Sequence, residues 1–285
     1  MSSPTADRSA EESAGGQGSR AKAARIVFTI MAGVAGLYYA ALMGGASLIA
    51  PWFDDSTKGH QIHDVGWGIL VAILTGVPLL LQLRRPESKP AAMQQVLLVA
   101  LSMVLVPAAA GTFAPFVLIF FVVPAALLTL LHPARHEMFR LGRFSPTLAV
   151  MAAVGGLGWT AFALNQISKQ RTVPSTNEHT EDLHWVFMGV LGVAIILVAL
   201  LGALKTRGSR IPAWTAGIAS IFFGIASLVM NQRPSSIKGF GVLAILGGVA
   251  FIAEAEWEHR QDEPSAEVAV TPSMSFEQRA GASSS

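Results

Sequence analysis

The sequence predicts an all-α polytopic integral membrane protein, a bundle of eight transmembrane helices, and three observations carry that prediction. Charged residues are 13% of the 285 positions and hydrophobic ones 52%, whereas a soluble domain carries about 25% charged residues, so charge is kept out of most of the chain. The apolar residues are gathered into eight runs, 26–50, 65–83, 93–110, 113–131, 148–167, 185–204, 211–230 and 239–255, among which Glu254 is the one acidic or basic side chain. Each run is close to the roughly 20 residues that carry a helix across about 30 Å of hydrocarbon. Backbone in lipid must satisfy its own hydrogen bonds as helix or closed barrel, and barrel strands would show segments of about ten residues with alternating polarity.

The first run, 26–50, is longer than the 7–15 apolar residues of a signal peptide and follows a polar leader, so it is a retained helix. The second, third and fourth carry Pro78, Pro107 and Pro124, residues that kink membrane helices or free backbone groups for a substrate. Only the Gly111-Thr112 turn separates the third run from the fourth; without it the count would fall to seven and the C-terminus would change sides. The fifth, sixth and seventh runs are uninterrupted. The eighth, 239–255, is short and glycine-rich. Gly33/Gly36, Gly44/Gly45, Gly155/Gly156/Gly158, Gly189/Gly192 and Gly247/Gly248 fit close helix packing. The transmembrane domain thus spans 23–260, and the flanks, 1–22 and 261–285, are too polar to bury a core and read as disordered tails.

An even helix count puts both termini on one side of the bilayer. The loops and tails on that side hold 15 of the 20 Lys and Arg residues, against five on the other, Lys58, Lys169, Arg171, Arg233 and Lys238. Basic residues stay cytoplasmic, so both termini are expected in the cytoplasm and the protein in the plasma membrane. Trp52, Trp67 and Trp185 at outer ends and Trp214 and Trp257 at inner ends suit the aromatic belts. Topology explains the basic loops, and no nucleic-acid partner is implied; the partner implied is the lipid bilayer.

An offset of 121 lays His63–Leu83 on His184–Leu204, matching His63 with His184, Gly68 with Gly189 and the basic residues Arg84 and Lys205 that follow. Two four-helix halves related this way would be a parallel repeat.

Two function classes follow. The interiors offer Tyr38, Tyr39, Thr75, Ser102, Thr160, Asn165, Ser220 and Ser227 but no ionisable carboxylate or base at mid-membrane, which argues against proton relays and ion-driven carriers. With the prolines, this suits non-enzymatic transport or sensing of a small uncharged or apolar solute. The second class is a metal-binding protein or enzyme. His60 and His63, three apart, and Glu181 and His184, also three apart, would each share a helix face at the outer ends of the second and sixth helices. Three imidazoles and a carboxylate suit Zn²⁺ or another divalent ion. On the inner side His132, His136 and Glu137 form a weaker grouping, with Pro133 between the histidines. The chain has no cysteine, and no GxSxG elbow, P-loop or Rossmann fingerprint marks an enzyme. A structural role as a partner subunit has no sequence mark of its own.

Overall fold

The computed structural model describes residues 22–53, 59–140, 142–230 and 235–262. Asp54, Asp55 and nearly all of both polar tails lie outside these residues, while Lys22 begins the first helix and Gln261 and Asp262 continue the last. Among the described residues every regular element is helical. Seven helices are long and apolar enough to cross a membrane: α1 (Lys22–Trp52), α2 (Gln61–Leu81), α3 (Pro90–Ala110), α5 (Pro146–Thr172), α6 (His184–Ala203), α7 (Arg210–Val229) and α8 (Lys238–Asp262). Between α3 and α5 runs the shorter apolar α4 (Pro115–Leu131).

At 1.5 Å per residue the 17 residues of α4 span about 25 Å. It still carries the chain from one end of the bundle to the other. It starts beside the end of α3, where Gly111 takes φ +74° and Thr112 N–H bonds back to Pro107 O at 2.9 Å, and closes beside the end of α2, where His132 meets Gln82. The left-handed glycine costs nothing where a side chain would be strained, so the turn expected at Gly111-Thr112 forms.

Burial divides the helices. In α2, α3, α6 and α7, 61–72% of the most apolar stretch is buried, against 22–33% in α1, α5 and α8. The four inner helices pack on one another, and α1 lies against α2, α5 against α6 and α8 against α7. The α7–α8 seam is one of the close approaches. A Cβ on Gly248 would come within 2.6 Å of Gly217 O and one on Gly224 within 2.5 Å of Gly241 O, as expected where small residues let helices meet in lipid. Packing also accounts for Gly36 against Leu80 and Gly44 against Ala72, but a Cβ on Gly155 or Gly247 would face nothing within 4 Å among the described residues.

Two of the three helix prolines have their freed carbonyls capped by side chains. Pro78 has no N–H for Leu74 O four residues back, and Gln95 Nε2 donates to that oxygen at 2.9 Å. Pro124 likewise releases Phe120 O, which accepts from Tyr39 OH. π-helical turns, Ile69–Gly76 in α2 and Leu118–Val122 in α4, precede both prolines. Gln95 is fully buried and its Oε1 accepts from Thr215 Oγ1 at 3.0 Å. Gln95→Leu is therefore expected to lower stability by about 1–3 kcal/mol, the cost of leaving a buried polar group unpaired. Unfolding of the variant in detergent checks this, and unchanged stability would show the bond to be dispensable.

The end of the bundle that holds the start of α1 and the end of α8 is laced by ion pairs. Arg25 meets Glu87 at 3.5 Å, Arg207 meets Glu137 at 2.7 Å, and Lys205 meets Glu258 and Asp262, each at 2.9 Å. Here the sequence grouping of His132, His136 and Glu137 does not converge. Pro133 ends α4, His136 is exposed in a short 3₁₀ turn, and Glu137 is taken by Arg207. His132 is 1% exposed, accepts from Ala134 N–H at 3.0 Å and lies edge-on to Phe28 at 4.9 Å. Burial, opposed in part by Glu87, lowers its pKa from 6.5 to about 4. The folded protein thus keeps His132 neutral at a pH where the unfolded chain protonates it. Its contribution to stability is complete above about pH 6.5 and is lost as pH falls toward 4, on the order of 2 kcal/mol by pH 5. Melting at pH 7.5 and pH 5 checks this: the wild type is expected to lose more stability than His132→Asn, and equal losses would reject the assignment.

Candidate metal centre

Four histidines meet at the opposite end of the bundle. His60 is the N-cap residue of α2 and His63 lies in its first turn, with the His63 and Asp64 amides bonded to His60 O at 2.8 and 2.9 Å. The other two come from the connection between α5 and α6. After α5 ends, Asn177 caps a single helical turn, Glu178–Glu181, its side chain accepting from His179 N–H at 3.1 Å. Leu183 then takes the left-handed φ of +59°, and α6 begins at His184.

One ring nitrogen from each of His60, His63, His179 and His184 lies within 4.8 Å of the others. All six ring pairs are in contact range, with centroids from 4.6 Å (His60 and His179) to 6.5 Å (His60 and His63). The closest nitrogens are His60 Nδ1 and His184 Nδ1, 3.1 Å apart. For comparison, tetrahedral zinc with nitrogens at 2.0–2.1 Å sets them about 3.3 Å apart. The observed set needs to contract by roughly 1.5 Å at its longest pair to close on such an ion.

Outer partners decide which nitrogen each ring presents. His60 Nε2 is 3.2 Å from Glu178 Oε1, His63 Nε2 is 2.9 Å from Ser235 Oγ, and His179 Nε2 is 3.2 Å from Gly59 O. In each of the three rings Nδ1 is left for the centre, and His63 Nδ1 is buried without a hydrogen-bond partner among the described residues. A ring held at one nitrogen by a carboxylate, hydroxyl or carbonyl is oriented with its other lone pair outward, as metal-ligating histidines are. Ser235 is itself fixed by Gln166 Oε1 at 3.3 Å.

Trp185 closes one side. Its ring stacks on His179 at 5.0 Å and meets His63 at 89° and 5.2 Å. Sequence position suggested a headgroup anchor, but Trp185 is only 6% exposed and walls the cluster instead. His63 is buried and the other three rings are half-buried.

Of the four residues singled out by spacing, the structure brings together His60, His63 and His184. Glu181 is exposed and stands outside the group, and His179 fills the fourth place. The reason is the left-handed Leu183, which breaks the helix that would have put Glu181 and His184 on one face. The missed signal was His179 itself, in the same short acidic loop as Glu178 and Glu181. No family model, curated protein or solved structure matches this chain.

Proposed function

We propose that this chain is a membrane protein of eight spans, built as two four-helix halves related by the offset of 121, that binds one transition-metal ion between the halves. The observation that carries the reading is the convergence of His60 and His63 from the first half with His179 and His184 from the second. An all-imidazole set suits Zn²⁺, Cu²⁺ or Ni²⁺ and not the oxygen-seeking Mg²⁺ or Ca²⁺. Four protein ligands fill a tetrahedral shell, and structural sites are closed in this way while catalytic ones keep a position open. The ion is thus a clasp, and the Glu178 carboxylate beside His60 offsets part of its charge.

Burial supports the duplication: in α4 only Val117, Phe121, Ala125 and Leu128 are buried, so outer, inner, inner, outer describes both α1 to α4 and α5 to α8. So do residues meeting near their own counterparts: His63 stacks on His184 at 12°, and Gln95 bonds to Thr215. Contacts of this kind arise where a two-fold axis passes between the halves. The distribution of Lys and Arg orients the ion-paired end toward the cytoplasm and the histidines outward. Metal analysis of protein purified from its native membrane tests the reading, which expects close to one equivalent of zinc, copper or nickel; metal-free protein that takes up none on titration would reject it.

A second reading, transport or sensing of an uncharged solute, has one observation in its favour: an apolar cavity of about 500 Å³ among α5, α6, α7 and α8.

A further inference from the structure

The cavity is lined on one side by Gly155, Gly156 and Trp159 of α5 and on the other by Phe240, Gly247 and Phe251 of α8, with Ile196, Gly217 and Ser220 at its back. From Phe240 to Phe251 it runs about 16 Å along α8. Its volume falls in the usual range of small-molecule sites.

The equivalent place in the first half is closed. There a void of about 10 Å³ is lined by Thr75, Val96, Val99 and Ala125 among others, and the offset of 121 carries these four onto Ile196, Gly217, Ser220 and Leu246, all of which line the large cavity. The same offset turns Val96 into Gly217 and Val34 into Gly155, both of which line the large cavity. In the first half Tyr39 and Phe121 stack at 5.3 Å beside the small void. Of the two sets of positions related by this offset, only the second encloses a cavity of ligand size.

Two further observations point to an occupant. Among the described residues a Cβ on Gly155 or Gly247 would meet nothing within 4 Å, so packing does not demand glycine there, although glycine in a helix costs about 1 kcal/mol relative to alanine. Ser220, a residue 7% exposed, puts a hydroxyl in the otherwise apolar lining of the cavity. Ser220 sits midway along α7, close to the centre of the bilayer, where a charged headgroup would be costly.

We infer that the cavity among α5, α6, α7 and α8 binds a neutral lipid-soluble molecule, long and apolar, with one uncharged hydroxyl or carbonyl oxygen that pairs with Ser220. Such a molecule reaches the site sideways from the bilayer and needs no aqueous path. The inference deepens the second reading above and concerns binding alone; it is independent of the metal. Its test measures equilibrium binding, so failure to bind and failure to move a solute are separate results.

The probe is tritiated farnesol, measured on the full chain in lipid nanodiscs against empty nanodiscs, with unlabelled dodecane as the oxygen-free competitor. Saturable binding near one equivalent is expected, displaced more strongly by farnesol than by dodecane. Gly155→Leu/Gly247→Leu places side chains in open space and is expected to weaken binding at least tenfold with the melting temperature preserved; Gly155→Val alone is the milder filling variant if the double one does not fold. Ser220→Ala is expected to weaken farnesol binding roughly three- to tenfold, the effect of one hydrogen bond, and to leave dodecane competition unchanged. Uptake no greater than in empty nanodiscs, or filled variants that bind like the wild type, would overturn the site. An unaltered farnesol affinity in Ser220→Ala would overturn the role given to the oxygen.

Discussion

A His63→Ala/His184→Ala variant is expected to bind no metal where the wild type, on the reading proposed above, binds one ion. The two residues come from α2 and α6, their rings stack 5.3 Å apart, and together they supply half of the nitrogens at the centre. Even outer partners of a metal-bound histidine are worth roughly 10–100-fold in affinity, so removal of two ligands is expected to cost more than 100-fold. Isothermal titration with Zn²⁺ on chelator-treated protein measures this directly. A Glu181→Ala variant serves as the contrasting case, because that carboxylate is exposed and outside the cluster, and its affinity is expected to stay within a few-fold of the wild type. A double histidine variant that still bound zinc tightly, or a Glu181 variant that lost it, would place the ion elsewhere.

That contrast also marks what was legible in the sequence. Membrane helices are visible because lipid tolerates so few residue types, and a run such as 185–204 admits no other reading once its length is compared with the bilayer. The two histidine-bearing helix ends were visible for a related reason, since polar residues stand out at the edges of apolar runs. Glu181 was misplaced because periodicity assumes a continuous helix, and a single left-handed residue, Leu183, interrupts it. Nothing in the residue type of leucine announces a positive φ. The prolines were visible, but the caps on their carbonyls, Gln95 and Tyr39, lie 21 and 81 residues away from the oxygens they bond. The cavity was not legible at all. Gly155 and Gly247 read as packing glycines like Gly248, and only the positions of neighbouring helices tell an empty Cβ site from a crowded one.

Zinc is expected to raise the melting temperature of the wild type and to leave two further variants unaffected, His60→Ala/His63→Ala and His179→Ala/His184→Ala. At a free zinc concentration 100 times the dissociation constant, binding to the folded state alone contributes about 2.7 kcal/mol, which for a domain of this size corresponds to roughly 5–10 °C. The two variants strip one half each, so loss of the effect in both separates a shared ion from an ion held by one half. The argument for sharing lies in where the polar contacts go. At the ion-paired end the halves are joined by direct bonds: Arg207 to Glu137 at 2.7 Å, Thr206 to Gln94 at 3.1 Å, and the Ala91 amide to Arg207 O at 3.2 Å. At the other end the histidine contacts, His60 with His184 and with Glu178, His63 with Ser235, and His179 with Gly59, also cross from one half to the other. These are single neutral or half-exposed interactions, each worth about 1 kcal/mol, and a metal ion drawing on all four rings would outweigh them together. Binding and release of the ion would then set how firmly the histidine-bearing ends of α2 and α6 are held while their ion-paired ends stay joined. Retention of the zinc-dependent shift in either pair variant would show that one half suffices and that the ion is no clasp.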